Sequence, residues 1–296
     1  MRHCHFHFFR KIRFSLCLSL FLIGLGIFCA AVCKCADSDT WIVQFLTNQQ
    51  ADSVKNSSDA DAADDISPSG ASSENTSALN AAFTDYVTEL FRQEASANLL
   101  NLHYTLADPA AYGITDYQTS LGTCSADSPA LAAAFAENLL AGLQQFQSAE
   151  LSAENRLTLD ILSESLDLTK NGANWYCYEE PLTPTTGLQS QIPILLAEYT
   201  FRNTRDITDY LSLLSDIPRY FSEISAYEKE KSAAGRFMPS FAAQRLIQQC
   251  TDFTADLDSH DLVATFNEKT DAMSELSKNE RAAYQKQNRD ILEQQV

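Results

Sequence analysis

From Leu79 to the last residue, apolar side chains recur at three- and four-residue intervals, and alternating strand patterns are nearly absent. That period confines the chain to packed helices, because it gathers apolar groups on one face of a helix and scatters them along a strand. Leu79, Phe83, Val87, Leu90 and Phe91 define a first face, with Ser77 as its N-cap. Ser128-Pro129 opens a second helix, whose face is Leu131, Phe135, Leu139, Leu140, Leu143 and Phe146. A third starts near Ser152, carries Leu157, Ile161, Leu162 and Leu166, and stops at Lys170-Asn-Gly172. Asp206 begins a helix through Ile207, Tyr210, Leu211 and Leu214, where Pro218 either kinks it or opens the next, which ends at Gly235. Pro239-Ser240 starts another with Phe241, Leu246, Ile247, Cys250 and Phe253, and Ser277-Lys-Asn-Glu280 is a capping box for the last. The expected fold is an all-α, multi-helix globular body.

One stretch breaks the pattern. Trp175 to Tyr199 holds Pro181, Pro184, Pro193 and Gly187, together with Trp175, Tyr176, Tyr178 and Tyr199. Prolines fix φ and remove donors, so the segment reads as a shaped connection. Its aromatic content says it is pressed onto a core or lines a cleft; packing is the simpler of the two.

The N-terminus is built differently. Phe14 to Cys33 contains no charge and follows Arg2, Arg10, Lys11 and Arg13. This is the layout of a secretory signal, and about 20 uncharged residues also suffice to span a bilayer. Phe28 precedes Cys29 and Val32 precedes Cys33, where a lipidation signal needs a small residue. Residues 1–36 are therefore expected to be a signal peptide or a transmembrane anchor, contacting membrane through residues 14–33. The body is expected on the extracytoplasmic side, anchored or secreted. Residues 37–77, rich in Asp, Ser, Ala and Asn, read as a polar disordered linker, and 78–296 as the helical domain.

Charge excludes one class of partner. The formal net charge is −18, and beyond residue 35 only 16 basic residues face 39 acidic ones, so no nucleic acid is expected to bind. Of eight cysteines, Cys124, Cys177 and Cys250 lie in the body, in no CxxC pattern, and read mostly as buried thiols. The histidines are His3, His5 and His7 at the tip, then His103 and His260. His103 reads as a hydrogen-bonded structural residue and His260 as an exposed one. No H-E-x-x-H motif, phosphate loop, G-x-S-x-G or calcium loop occurs. Glu179-Glu180 is an acidic pair that reads first as solvated.

Several segments taken together resemble the N-terminal half of the bacterial family called domain of unknown function 885. They are Phe83-Thr-Asp-Tyr86 through Leu90-Phe91, Leu102-His-Tyr-Thr-Leu-Ala-Asp-Pro109 through Ile114, and Tyr178-Glu-Glu-Pro-Leu-Thr-Pro184 with Gly187-Leu-Gln189. Ile192-Pro-Ile-Leu-Leu-Ala-Glu-Tyr199, Asp206-Ile-Thr-Asp-Tyr-Leu211 with Leu213-Leu214, Lys231-Ser and Gly235-Arg-Phe-Met238 complete the set. The resemblance implies a mostly helical, exported protein similar to zincin metallopeptidases, with zinc held by a His-Glu pair, another histidine and a distal acid. Those elements belong to the family's C-terminal half, before which this chain ends, so no catalytic or metal residue carries over to any position here. Zinc is then expected only in a full-length member, with a peptide or small-molecule substrate. The helices would form one wall of its cleft, lined by His103, Tyr104, Tyr178, Glu179, Glu180, Gln189, Glu198 and Tyr199. The rival expectation is a non-enzymatic, membrane-anchored helical module that binds an envelope partner.

Overall fold

The structure is a computed structural model that describes residues 69–296 apart from residues 126 and 149, with side chains from residue 74 onward. The uncharged run 14–33 and most of the polar stretch lie outside the described residues. Nine α-helices, and no strand, occur among the described residues: α1 Ser69–Ser96, α2 Leu99–Thr105, α3 Ser128–Gln147, α4 Ala153–Gly172, α5 Leu188–Glu198, α6 Thr204–Ala233, α7 Ser240–Phe253, α8 Asp261–Ala272 and α9 Lys278–Gln295. Two 3-10 turns, Pro109–Tyr112 and Ala173–Tyr178, stand between them. Among the described residues no helix is long and apolar enough to cross a membrane.

Local chemistry sets most of the ends. Ser152 Oγ accepts the amide of Asn155 at 3.2 Å, and Ser277 and Glu280 make both halves of a capping box. Asn203 and Asp206 make another at the start of α6. One end differs from expectation. The first helix begins at Ser69, so Ser77 lies inside it; extending an established helix by about two turns costs little. The helix that opens at Ser152 stops at Gly172 as expected, and because Gly172 keeps φ −63° the backbone tightens directly into the turn 173–178. At Pro218 no new helix opens, and α6 runs through it for 30 residues.

The helices bury two main apolar clusters. Phe83 and Tyr86 of α1 meet Ala136, Leu139, Leu143 and Phe146 of α3 and Leu159 and Leu166 of α4. The larger cluster joins Ile192 and Leu196 of α5 to Ile207, Tyr210, Leu211 and Leu214 of α6, Leu262 and Phe266 of α8, and Ile291 and Leu292 of α9. A small third cluster, Ala95, Leu102, Leu106 and Ile114, lies around α2. The turn 173–178 contacts α3, α4 and α6 and so touches helices of both main clusters.

Which apolar residues are buried differs from the sequence reading in three helices. On α3 the inward face is Ala132, Ala136, Leu139, Gly142, Leu143 and Phe146, while Leu131 is exposed. On α4 it is Leu159 and Leu166, with Leu157 and Ile161 61% and 60% exposed. On α7 it is Ala242 and Leu246, with Phe241, Ile247 and Cys250 exposed. Each helix carries a stripe broader than one neighbour can cover, so the neighbour's position selects the buried part. Cys124 and Cys177 are half-buried, and all three described cysteines are free.

The α1–α3 contact is close enough to require glycine. A Cβ on Gly142 would stand 2.6 Å from the Tyr86 hydroxyl, which itself approaches the Leu139 carbonyl at 3.4 Å. Gly142→Ala should therefore lower stability by about 1–3 kcal/mol through overpacking. Urea denaturation checks this; an unchanged midpoint would show that α1 does not seat on α3 here.

Candidate functional site

The expected cleft residues fall in three places. His103 and Tyr199 meet at a pocket of about 280 Å³ between α2, the 106–117 loop and the start of α6. Tyr104 lies outside it, edge-on to His103 with its hydroxyl donating to the Leu195 carbonyl at 2.6 Å, and Glu198 is exposed at the end of α5. Tyr178, Glu179 and Glu180 sit at the connection onto α6. Gln189 is a strut, its Nε2 donating to the Thr183 carbonyl at 2.6 Å and to Gln249 Oε1 at 3.1 Å. Gly187 is held within that turn, where a Cβ would meet the Thr183 amide nitrogen at 2.3 Å.

In the pocket, the imidazole of His103 stacks on the Tyr199 ring with centroids 3.5 Å apart and 15° between planes. Nε2 accepts the Thr200 amide at 3.1 Å, and Nδ1 faces Arg202 Nη1 at 3.2 Å. Burial, then Arg202 and Lys269, hold the His103 pKa down to about 3, so the ring is neutral near pH 7. The structural role expected of this histidine is what the geometry shows. On the far wall Tyr117 donates to Asp209 Oδ2 at 2.7 Å and lies under the Arg205 guanidinium, 4.4 Å from its ring centroid. Asp206 Oδ2 accepts the Arg202 and Asn203 amides at 2.6 and 3.3 Å. Leu99, Leu102, Leu106 and Ile114 form the apolar part of the lining.

The connection onto α6 is organised by a buried cation. Lys231 is 0% exposed, and its Nζ donates to the Glu179 carbonyl at 2.7 Å and pairs with Glu180 Oε2 at 3.1 Å. Glu180 is therefore an ion-pair partner as well as a surface acid. Tyr227 donates to the Tyr176 and Glu179 carbonyls at 2.6 and 3.0 Å. Glu228 is buried beside Lys231 with Oε1 3.7 Å from Nζ, and neither carboxylate oxygen has a hydrogen-bond partner among the described residues. Burial raises its pKa, and Lys231 pulls it back.

Other surfaces carry less chemistry. A concavity of about 460 Å³ lined by Thr119, Thr208, Ser212, Ser215 and Asp216 holds one acid, and that acid is engaged by Arg219 and the Leu121 amide. His260 is buried rather than exposed: its Nδ1 accepts the Leu262 amide at 3.2 Å at the start of α8, and its ring packs edge-on against Phe253. Among the described residues no three His, Cys, Asp or Glu side chains are grouped to hold a metal. Sequence reading missed Arg202, Tyr117 and Asp209. The Asn203-x-x-Asp206 capping signal was the clue, since it places Arg202 just ahead of a helix start.

These features define an all-α helical scaffold with one small mixed polar and apolar pocket. Residues 109–296 match the family model described as bacterial protein of unknown function (DUF885), and the chain belongs to that family. No curated protein matches it. Among solved structures it is similar to one described as "the putative lipoprotein from Colwellia psychrerythraea", at 16% identity and a TM-score of 0.55. The match covers 75% of this chain and 39% of that one, and at this identity it speaks for the fold alone.

Two outcomes follow from the buried groups. Lys231→Met strands Glu228 and the Glu179 carbonyl and should cost about 3–5 kcal/mol, as does removal of one partner of a buried pair. Adding Glu228→Gln should recover part of that loss in urea denaturation; no recovery would mean that Glu228 does not rely on Lys231. His103 gives the second. The unfolded chain protonates it near pH 6.5 and the folded one near 3, so the unfolded state binds more protons between those values. Stability should fall as pH drops below 6.5, and His103→Asn should flatten that part of the profile.

Proposed function

We propose that these helices form one wall of the substrate cleft of an exported or membrane-anchored hydrolase of metallopeptidase type. In this reading a further part of the protein supplies the zinc ligands and the general base. The observation that carries it is the set of large apolar side chains that stand exposed on α5, α7 and the turn 173–178. Phe241 and Ile247 on α7 are 68% and 67% exposed, and Ile194 on the adjoining α5 is exposed as well. Trp175 and Tyr178 are exposed with their rings 5.7 Å apart, Arg236 lies over the Tyr178 ring, and Phe237 is exposed as well. Apolar surface of this kind marks an interaction face. That the match covers only 39% of the neighbouring lipoprotein's length supports a further body on such a face.

The basic flank and uncharged run 14–33 support export and attachment to a membrane. The description of the neighbour as a lipoprotein points the same way. In the complete enzyme zinc would polarise the scissile carbonyl and activate water. The second reading, an anchored binding module without catalysis, is favoured by the His103 pocket, which is formed by these residues alone.

The coding sequence past Val296 is the most direct test. A continuation with a His-Glu motif, in a protein whose peptide cleavage is abolished by a chelator, supports the cleft-wall reading; a stop codon there favours the binding module. The 296-residue chain by itself should take up zinc only weakly. A catalytic zinc needs three protein ligands, and His103 and His260 are committed to separate helix ends. Titration calorimetry showing one submicromolar zinc site, or chelator-sensitive cleavage by this chain alone, would falsify the proposal.

A further inference from the structure

The apolar groups of α4 reach round to the side away from its neighbours. Leu159 and Leu166 are buried in the cluster shared with α1 and α3, which is the face a packed helix needs. Leu157, Ile161 and Leu168 are 61%, 60% and 64% exposed. At 3.6 residues per turn these three fall within about 40° of one another and about 140–180° round the helix from the buried pair. They form one aliphatic row about 16 Å long on the outer side of α4.

The charges beside the row have one sign. Glu154, Asp160, Glu164 and Asp167 border or interrupt it, all are exposed, and none has an ion-pair partner among the described residues. Asp167 accepts a hydrogen from Asn171 of its own helix. Both cations of α4 are engaged with α3 instead: Lys170 pairs with Glu137 at 3.0 Å, and Arg156 donates to the Gln147 carbonyl at 3.1 Å.

An occupant must therefore bring apolar groups and positive charge together. A second copy of this chain brings the same four acids, and an anionic lipid surface is repelled by them. A strand finds no edge to join, because the row lies on a hydrogen-bonded helix. A helix can lie along it, since aliphatic groups one and two turns apart interleave with the same spacing on another helix.

We infer that this face of α4 docks a basic amphipathic helix of a partner protein. The partner's apolar stripe seats on Leu157, Ile161 and Leu168, and its lysines or arginines meet Asp160, Glu164 and Asp167. Apolar burial gives the affinity, and the charges set the orientation and reject acidic partners. The inference uses neither the zinc reading nor the His103 pocket.

The test uses the full chain in phosphatidylcholine nanodiscs, with empty nanodiscs as the reference, and a labelled peptide of about 14 leucines and lysines in the helical period. Anisotropy should show saturable one-to-one binding that weakens as salt rises. The same composition in strict alternation, and a leucine–glutamate peptide in the helical period, should each bind at least about tenfold more weakly. Ile161→Ser should weaken binding about tenfold, and Asp160→Asn with Glu164→Gln should flatten the salt dependence while leaving the aliphatic row intact. These three positions are exposed, so the variants leave the fold in place. Leu131→Ser, at an exposed leucine of α3, should change nothing. Absence of saturation, equal binding of the alternating or the acidic peptide, an indifferent Ile161→Ser, or a Leu131→Ser equally damaging overturns the inference. So does a dimer of the free chain that Ile161→Ser dissolves, which assigns the face to a second copy.

Discussion

The buried ammonium of Lys231 is the constraint on which the joining of this molecule depends. It is on α6, the longest helix among the described residues, and it holds the Glu179 carbonyl and the Glu180 carboxylate of the connection that follows α4. A fully buried cation is tolerated only with such partners, because desolvation costs several kcal/mol per ion. Tyr227 secures the same connection through two more carbonyls, so the chain leaving the α1–α3–α4 cluster is fastened to the helix that organises the other. The incoming loop is fixed to that helix in like manner. Arg219 pairs with Asp216 and Glu223 and donates to the Gly122 carbonyl, while Asp216 accepts the Leu121 amide.

The same helix begins at the pocket. Its capping box occupies Asp206 and the first amides, while the Arg202 guanidinium lies against His103. The pocket is thus a by-product of how α6 starts and of how α2 stacks His103 on Tyr199. Rigid helices on each side give its polar groups a fixed geometry, which is what a selective site for a small ligand requires.

The exposed apolar surface of α5, α7 and the turn 173–178 has a different character. Its residues satisfy the helical period as well as the buried ones do, yet they face outward. Their surroundings include cation–aromatic contact through Arg236 and Tyr178, which suits the rim of an interface.

Helical class, most helix starts and the family were legible in the sequence, because they rest on local rules: period, caps at Ser152 and Ser277, and motifs in fixed order. His103 was legible as a structural histidine for the same reason. What the sequence could not decide was which part of each broad apolar stripe is covered. Leu131, Leu157, Ile161, Phe241 and Ile247 fit the period and are exposed, since burial is set by the neighbour and not by the helix itself. His260 reversed in the other direction, drawn inside as a helix cap next to Phe253. The opposition of Arg202 to His103, 99 residues apart, and the clamp of Lys231 on Glu179, 52 residues apart, exist only once α2 and the 173–180 connection have packed on α6. Sequence determines the elements through short-range geometry; long-range packing alone brings these charges and rings together.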